Sequence, residues 1–189
     1  MDMLTGYIVA AMMSWVPISN HATYETAEET MNRYVDIATT ISTVAMDPEK
    51  EPLYAGDDGR LRTALLLASV ASSESHFRKS VDTCQISGDK GLAWGLWQTH
   101  ASKDRVCNDR VEAATIALKM MRYSISHCKN YNVLDRLSIY TRGRCRSNAK
   151  HSRLKMNRAH NWYDVSIVKP RAAQEKLNEQ HTSEHTRED

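Results

Sequence analysis

Leu61-Arg62-Thr63-Ala64-Leu65-Leu66-Leu67-Ala68-Ser69-Val70-Ala71-Ser72-Ser73-Glu74-Ser75-His76-Phe77 is the stretch that decides how this chain folds. Its middle is apolar or small nearly all round, and a helix of that kind is buried on most sides. Asp58 stands at a capping position before Gly59, so the spacing predicts a central helix over 59–76. Leu67, Val70 and Glu74 share one face of it. A carboxylate therefore closes an apolar stripe. Apolar neighbours and the negative end of the helix dipole both disfavour a charged acid there, and a group that keeps its proton is what general-acid chemistry needs. The opposing reading is a surface ion pair with Arg78, four residues further on.

The flanks carry the same period. Residues 1–20 read as a short helix ending before Pro17. From Thr23 to Ala45 the positions Ala27, Met31, Tyr34, Ala38, Ile41 and Ala45 recur at helical spacing. Glu25, Glu28 and Glu29 crowd the first turns, where the dipole favours acids, and Asp47-Pro48 ends the run. After 108, Val111, Ala114, Leu118, Met121 and Ile125 line one face, with Asp109 and Glu112 at capping-box spacing. A shorter helix is predicted over 132–141, with Gly143 as its stop, and another over 151–162. Beyond Pro170 the chain is polar. With only 7 Gly and 4 Pro in 189 residues, the expected class is mainly α. The expected organisation is an N-terminal helical extension over 1–50, a domain over 57–165 and a polar tail over 170–189.

Composition narrows the function. A 41% hydrophobic and 25% charged chain fits a soluble globular protein. A net charge of +2 gives no overall preference for nucleic acid. The apolar run from Tyr7 to Met13 is too short to span a bilayer, so no membrane insertion is expected, and the start lacks the basic opening of a signal peptide. No His-Glu-x-x-His, Gly-x-Ser-x-Gly or phosphate-binding loop occurs, which argues against zinc proteases, serine hydrolases and nucleotide enzymes. His181 and His185 are four apart but lie in the polar tail. No metal or cofactor is expected.

Cys84, Cys107, Cys128 and Cys145 form no Cys-x-x-Cys pair, which speaks against zinc. An even count suggests two disulfides, and the favoured pairing joins neighbours along the chain, Cys84–Cys107 and Cys128–Cys145. Four buried thiols in a reduced protein are the alternative.

Residues 77–103 break the helical period at Gly88, Gly91 and Gly95. This reads as an irregular loop with short strand pairing, and such loops are often functional. Within it lies Trp94-Gly95-Leu96-Trp97-Gln98. Aromatic faces suit the apolar faces of sugar rings, a Gln amide both donates and accepts, and glycine allows close backbone approach. The competing reading has both tryptophans filling the core. Further on, Tyr140-Thr141-Arg142-Gly143 sets a phenol at a helix end, where it can orient a carboxylate or simply pack.

Taken in order, Glu74-Ser75, Gly95-Leu96-Trp97-Gln98 and Tyr140-Thr141-Arg142-Gly143 resemble the lysozyme-like superfamily, in particular the soluble lytic transglycosylase and goose-type lysozyme group. The first is similar to that group's Glu-Ser. The second is similar to its Gly-Leu-Met-Gln, with Trp for Met, and the third to its Tyr-Asn-x-Gly, with Thr for Asn. The likeness covers about residues 57–162, and the loop 88–95 resembles phage-borne members.

The resemblance implies a lysozyme-like α domain that cleaves peptidoglycan glycan strands between N-acetylmuramic acid and N-acetylglucosamine. Glu74 would be the catalytic acid, then base. Ser75 and Tyr140 would position it, while Trp94, Gly95, Leu96, Trp97, Gln98 and Gly143 would contact the substrate. A lytic transglycosylase ends in a 1,6-anhydro sugar. A hydrolytic lysozyme or endolysin is the alternative and uses water with a second carboxylate, for which Asp82 and Asp89 are the candidates, although both also read as loop formers. The expected setting is a phage virion acting at the host wall, in company with other virion or tail proteins; the alternative is the host cytoplasm until lysis. An inactive structural or binding protein of the same fold is the non-enzymatic rival. The basic run 142–158 could meet the anionic wall or nucleic acid, but it has no aromatic for base stacking.

Overall fold

The computed structural model describes residues 1–164, so the polar tail over 170–189, with His181 and His185, lies outside the described residues. These residues are mainly helical: α1 Met3–Trp15, α2 Ala27–Met46, α3 Gly59–Ser75, α4 Lys79–Asp82, α5 Lys103–Asn108, α6 Arg110–His127, α7 Ser138–Arg142 and α8 Lys150–Tyr163. Helix α3 is the centre. Every residue from Thr63 to Ser72 is buried, and α1, α2, α6 and α8 all pack against it. One continuous core therefore runs from Ile8 in α1 to Ala159 in α8, and the N-terminal helices are part of it.

Helix α2 starts later than its period suggests. Thr26 is its cap, accepting from the Glu29 amide at 3.1 Å, while the Glu29 carboxylate accepts from the Thr26 amide at 2.8 Å. Glu25 thus precedes the helix instead of serving its dipole. It turns inward, and both its oxygens accept from Arg33, which also donates to the carbonyl of Phe77. That guanidinium ties the start of α2 to the end of α3.

The expected Asp58 cap is corrected too. Asp58 occupies the cap position of α3 but makes no side-chain bond to the helix amides, and its carboxylate accepts from the Tyr163 hydroxyl. Gly59 follows because a Cβ there would meet the carbonyl oxygen of Tyr54 at 2.0 Å.

The helix expected over 132–141 breaks into a single turn, Val133–Asp135, and α7. Two buried side chains explain the break. Asp135 accepts from the Asn148 and Ala149 amides and, through both oxygens, from Arg153. Ser124 on α6 donates to the carbonyl of Arg136 and accepts from the amides of Ile139 and Tyr140. Gly143, at φ 72°, stops α7 in the left-handed region as its sequence position suggests.

The irregular segment holds α4 and two isolated antiparallel bridges, Gly88 with Ala93 and Trp94 with Thr99. The cysteines pair as Cys84–Cys107 and Cys128–Cys145, and no free thiol remains. The second bond clips α6 to the segment between α7 and α8. With its ends 17 positions apart in sequence, the chain-entropy model assigns it about 3 kcal/mol. The double variant Cys128→Ala/Cys145→Ala should lose that much unfolding free energy in urea titrations.

Acid should act through Asp135. The hydrogen bonds from Arg153 lead, and they draw its carboxyl down to about 2, with the Ala149 and Asn148 amides helping against the cost of burial. An unfolded aspartate takes its proton near ~3.9. The folded state therefore holds the ionised form more tightly, and that stabilisation is complete above about pH 4. It drains away as pH falls from about 4 to about 2. Asp135→Asn should flatten this limb of the stability–pH curve, measured by urea unfolding between those values.

Candidate functional site

Glu74 lies one residue before the end of α3, its side chain 25% exposed. The opposing reading paired it with Arg78. The structure corrects this: Arg78 donates from Nε to the carbonyl of Ser75, and Glu74 is paired with Lys155 of α8, Nζ to Oε1 at 3.0 Å. Lys155 is only 3% exposed. A charge-assisted bond of this kind holds the carboxylate in place.

Ser75 is wholly buried. Its hydroxyl donates to the carbonyl of Ala71 at 2.7 Å and accepts from the amide of Phe77 at 3.1 Å. Its work is to close the helix, with His76 and Phe77 following at φ 52° and 51°. This fixes the backbone next to Glu74, and both bonds go to main chain instead of the carboxylate.

Trp97 is 1% exposed, and its indole nitrogen donates to the carbonyl of Leu67 at 3.0 Å, two turns before Glu74. Leu96 is equally buried. These two expected substrate contacts are buried in the core, as the packing reading has it for Trp97. Tyr140 completes the link. Its hydroxyl donates to the carbonyl of Trp97 at 2.6 Å. Burial first, and the charge of Glu74 second, push this phenol well above its ordinary range. It keeps its proton and remains a donor.

Trp94 is half-buried, with the Lys103 ammonium 4.7 Å from its ring centre. Gln98 folds back, donating to the carbonyl of Gly95 at 2.9 Å. Gly88 makes room for that side chain, since a Cβ there would sit 2.0 Å from its oxygen. Gly95, at φ 68°, faces Val106, which a Cβ would approach to 2.6 Å. Gly95 and Trp97 also line a cavity with Asp82 and Arg110. Gly143 is exposed at the far end of α7.

The two further acids differ. Asp82 has both oxygens engaged by Arg110, at 3.1 and 2.9 Å, in a half-buried fork. Asp89 is exposed on the loop, 3.1 Å from His100. Among the described residues, no group of His, Cys, Asp or Glu is arranged to hold a metal ion, and no helix is long and apolar enough to cross a membrane.

The sequence reading missed Lys155 and Arg158, taking 142–158 as one basic run. Arg158 donates to the hydroxyls of Ser72 and Ser73 and lies over the ring of Trp15. A signal was present. Ser152, Lys155, Met156 and Ala159 are the buried residues of α8, spaced at helical period. A lysine in such a stripe requires a buried acid opposite.

No family model matches the chain, and no curated protein and no solved structure matches it either.

Glu74→Ala strands the Lys155 ammonium in a buried position. Partial exposure of the carboxylate moderates the cost, which we place at about 1–3 kcal/mol. Lys155→Met leaves only an exposed-side carboxylate and should cost less. Urea unfolding of the two variants checks the order.

Proposed function

We propose that the chain is a lysozyme-like, peptidoglycan-cleaving protein of the lytic transglycosylase kind, with Glu74 as its acid and then its base. One observation carries the reading. Two of the three motifs are tied to the helix that ends in the third: the Trp97 indole donates to the backbone of α3, and the Tyr140 hydroxyl donates to the Trp97 backbone. Glu74 closes that helix and is partly open.

Chemically, Glu74 would protonate the glycosidic oxygen as the bond breaks, then take the proton of the sugar's own 6-hydroxyl as that oxygen closes on the anomeric carbon. The absence of a free partner acid in Asp82 supports this outcome over hydrolysis, because both its oxygens serve Arg110. Two disulfides suit a protein that works in an oxidising setting, which supports a virion-borne wall enzyme over one stored in a reducing cytoplasm.

A second reading has its own observation. The Glu74 carboxylate is engaged by the Lys155 ammonium at 3.0 Å, so its use on a substrate requires the pair to open. A non-catalytic protein of the same fold would keep the pair closed for structure.

Digestion of purified peptidoglycan with mass spectrometry of the products separates these. Anhydro sugars, one water lighter than hydrolysis products, are expected. Glu74→Gln should lower turnover about 10²–10⁴-fold. Near-full activity in that variant sinks the assignment, and inactive wild-type protein selects the structural reading.

A further inference from the structure

Arg62, in the first turn of α3, makes neither an ion pair nor a side-chain hydrogen bond among the described residues. Its guanidinium is half-buried and lies over the rings of Tyr54 and Tyr163, at 4.5 and 5.5 Å from their centres. Arg60 and Arg158, also half-buried, donate instead to backbone carbonyls and to serine hydroxyls. The acids nearby are engaged elsewhere. Asp58, one turn before Arg62, accepts from the Tyr163 hydroxyl, and Asp164 lies 3.1 Å from His160. Burial pushes the Tyr54 phenol up to about 12, against the pull of Arg62, and its hydroxyl donates to the sulfur of Met156. That phenol stays neutral and supplies no counter-charge.

Arg62 borders a cavity of about 100 Å³. Its walls are Val133 and Leu134 from the single turn Val133–Asp135, Met156 and Ala159 from α8, and Tyr54 and Tyr163. Arg62 and His160 complete the lining. Such walls offer an alkyl group many contacts and a water molecule few partners. They are also firmly set. The Leu134 carbonyl accepts from the Ser152 hydroxyl at 2.6 Å, and the Leu134 amide donates to the Asn132 side chain at 3.0 Å. Little ordering cost therefore opposes binding.

Size and charge together define a ligand. An apolar cavity of about 150 Å³ holds benzene, so two-thirds of that volume suits a body of about four carbons. Ring contacts leave the N–H groups of a guanidinium available, and its fork matches a carboxylate through two parallel hydrogen bonds. The cavity is remote from the candidate site: Arg62 precedes Glu74 by twelve residues on α3, about 18 Å along the axis.

We propose that this cavity binds a small carboxylate with a compact branched alkyl body, the body against Leu134, Met156 and Ala159 and the carboxylate on Arg62. The proposal stands apart from the peptidoglycan reading, and its test does not involve glycan cleavage. Isotope-labelled full-length protein is titrated with 3-methylbutanoate at fixed neutral pH and ionic strength, and amide shifts are followed by NMR. The amides of Arg62, Leu134 and Ala159 should shift and saturate, with a dissociation constant on the order of 1 mM for so small a ligand. Two controls divide the ligand into its parts. 3-Methylbutanamide keeps the shape without the charge, and acetate keeps the charge without the body. Each should bind about tenfold more weakly. Arg62→Gln should lower the affinity for the acid to that for the amide. Equal binding of acid and amide by the wild-type protein overturns the proposal without recourse to any variant. Acetate binding as well as 3-methylbutanoate overturns it too, as does the absence of shifts at these amides at about tenfold the expected constant. Tighter binding of octanoate also overturns it, because an open apolar surface and not a bounded cavity would then be responsible.

Discussion

Helix α3 is enclosed on all sides, and a helix so placed imposes its polar groups on whatever surrounds it. The surrounding elements answer that demand one by one. Trp97 donates to the carbonyl of Leu67, and Ser69 donates to the carbonyl of Lys155. Arg158 serves Ser72 and Ser73, and Arg33 reaches the carbonyl of Phe77 just past the helix end. Each contact joins a distant segment to the same few turns. The end of α3 that carries Glu74 is consequently anchored from several distant segments, although Glu74 itself is a quarter open.

That geometry explains what the sequence could reveal. The unbroken apolar character of 61–71 announces burial without any knowledge of partners, and the left-handed stop at Gly143 is a local property of one glycine. Neighbouring cysteines that pair in order leave short loops, which is why Cys84–Cys107 and Cys128–Cys145 were readable from spacing. The misplaced features are long-range ones. Glu25 sits where a helix dipole would welcome an acid, yet Arg33, eight residues on, captures it because the guanidinium must also reach Phe77. Asp135 lies inside a plausible helix period, but three donors from 148–153 draw it inward and break the helix.

The candidate site shows the same division. The resemblance selected Glu74, Trp97 and Tyr140, and the fold brings these together through the backbones of α3 and the glycine loop. It places Leu96 and Trp97 in the core, where the spacing of bulky residues around Gly95 could equally have suggested it. Trp94 and Gln98 remain nearer the surface. The departures at Trp97 and Thr141 from the motifs they resemble are thus unequal: the first fills the core, while the second lines a surface concavity with Arg142 and Arg146.

Lys155 is the residue that stability does not explain. Taking an ammonium out of water costs several kcal/mol, and an ion pair returns that cost only when both partners are well enclosed. Here one partner is 3% exposed and the other 25%, so water weakens the attraction while the lysine bears nearly the whole desolvation cost. An apolar residue at 155 would pack against α3 with less penalty, as its neighbours Met156 and Ala159 do. What the pair provides instead is position. A glutamate at a helix end has three rotatable side-chain bonds, and one directed ammonium removes most of that freedom. The lysine thus fixes where the Glu74 carboxylate lies at the end of α3.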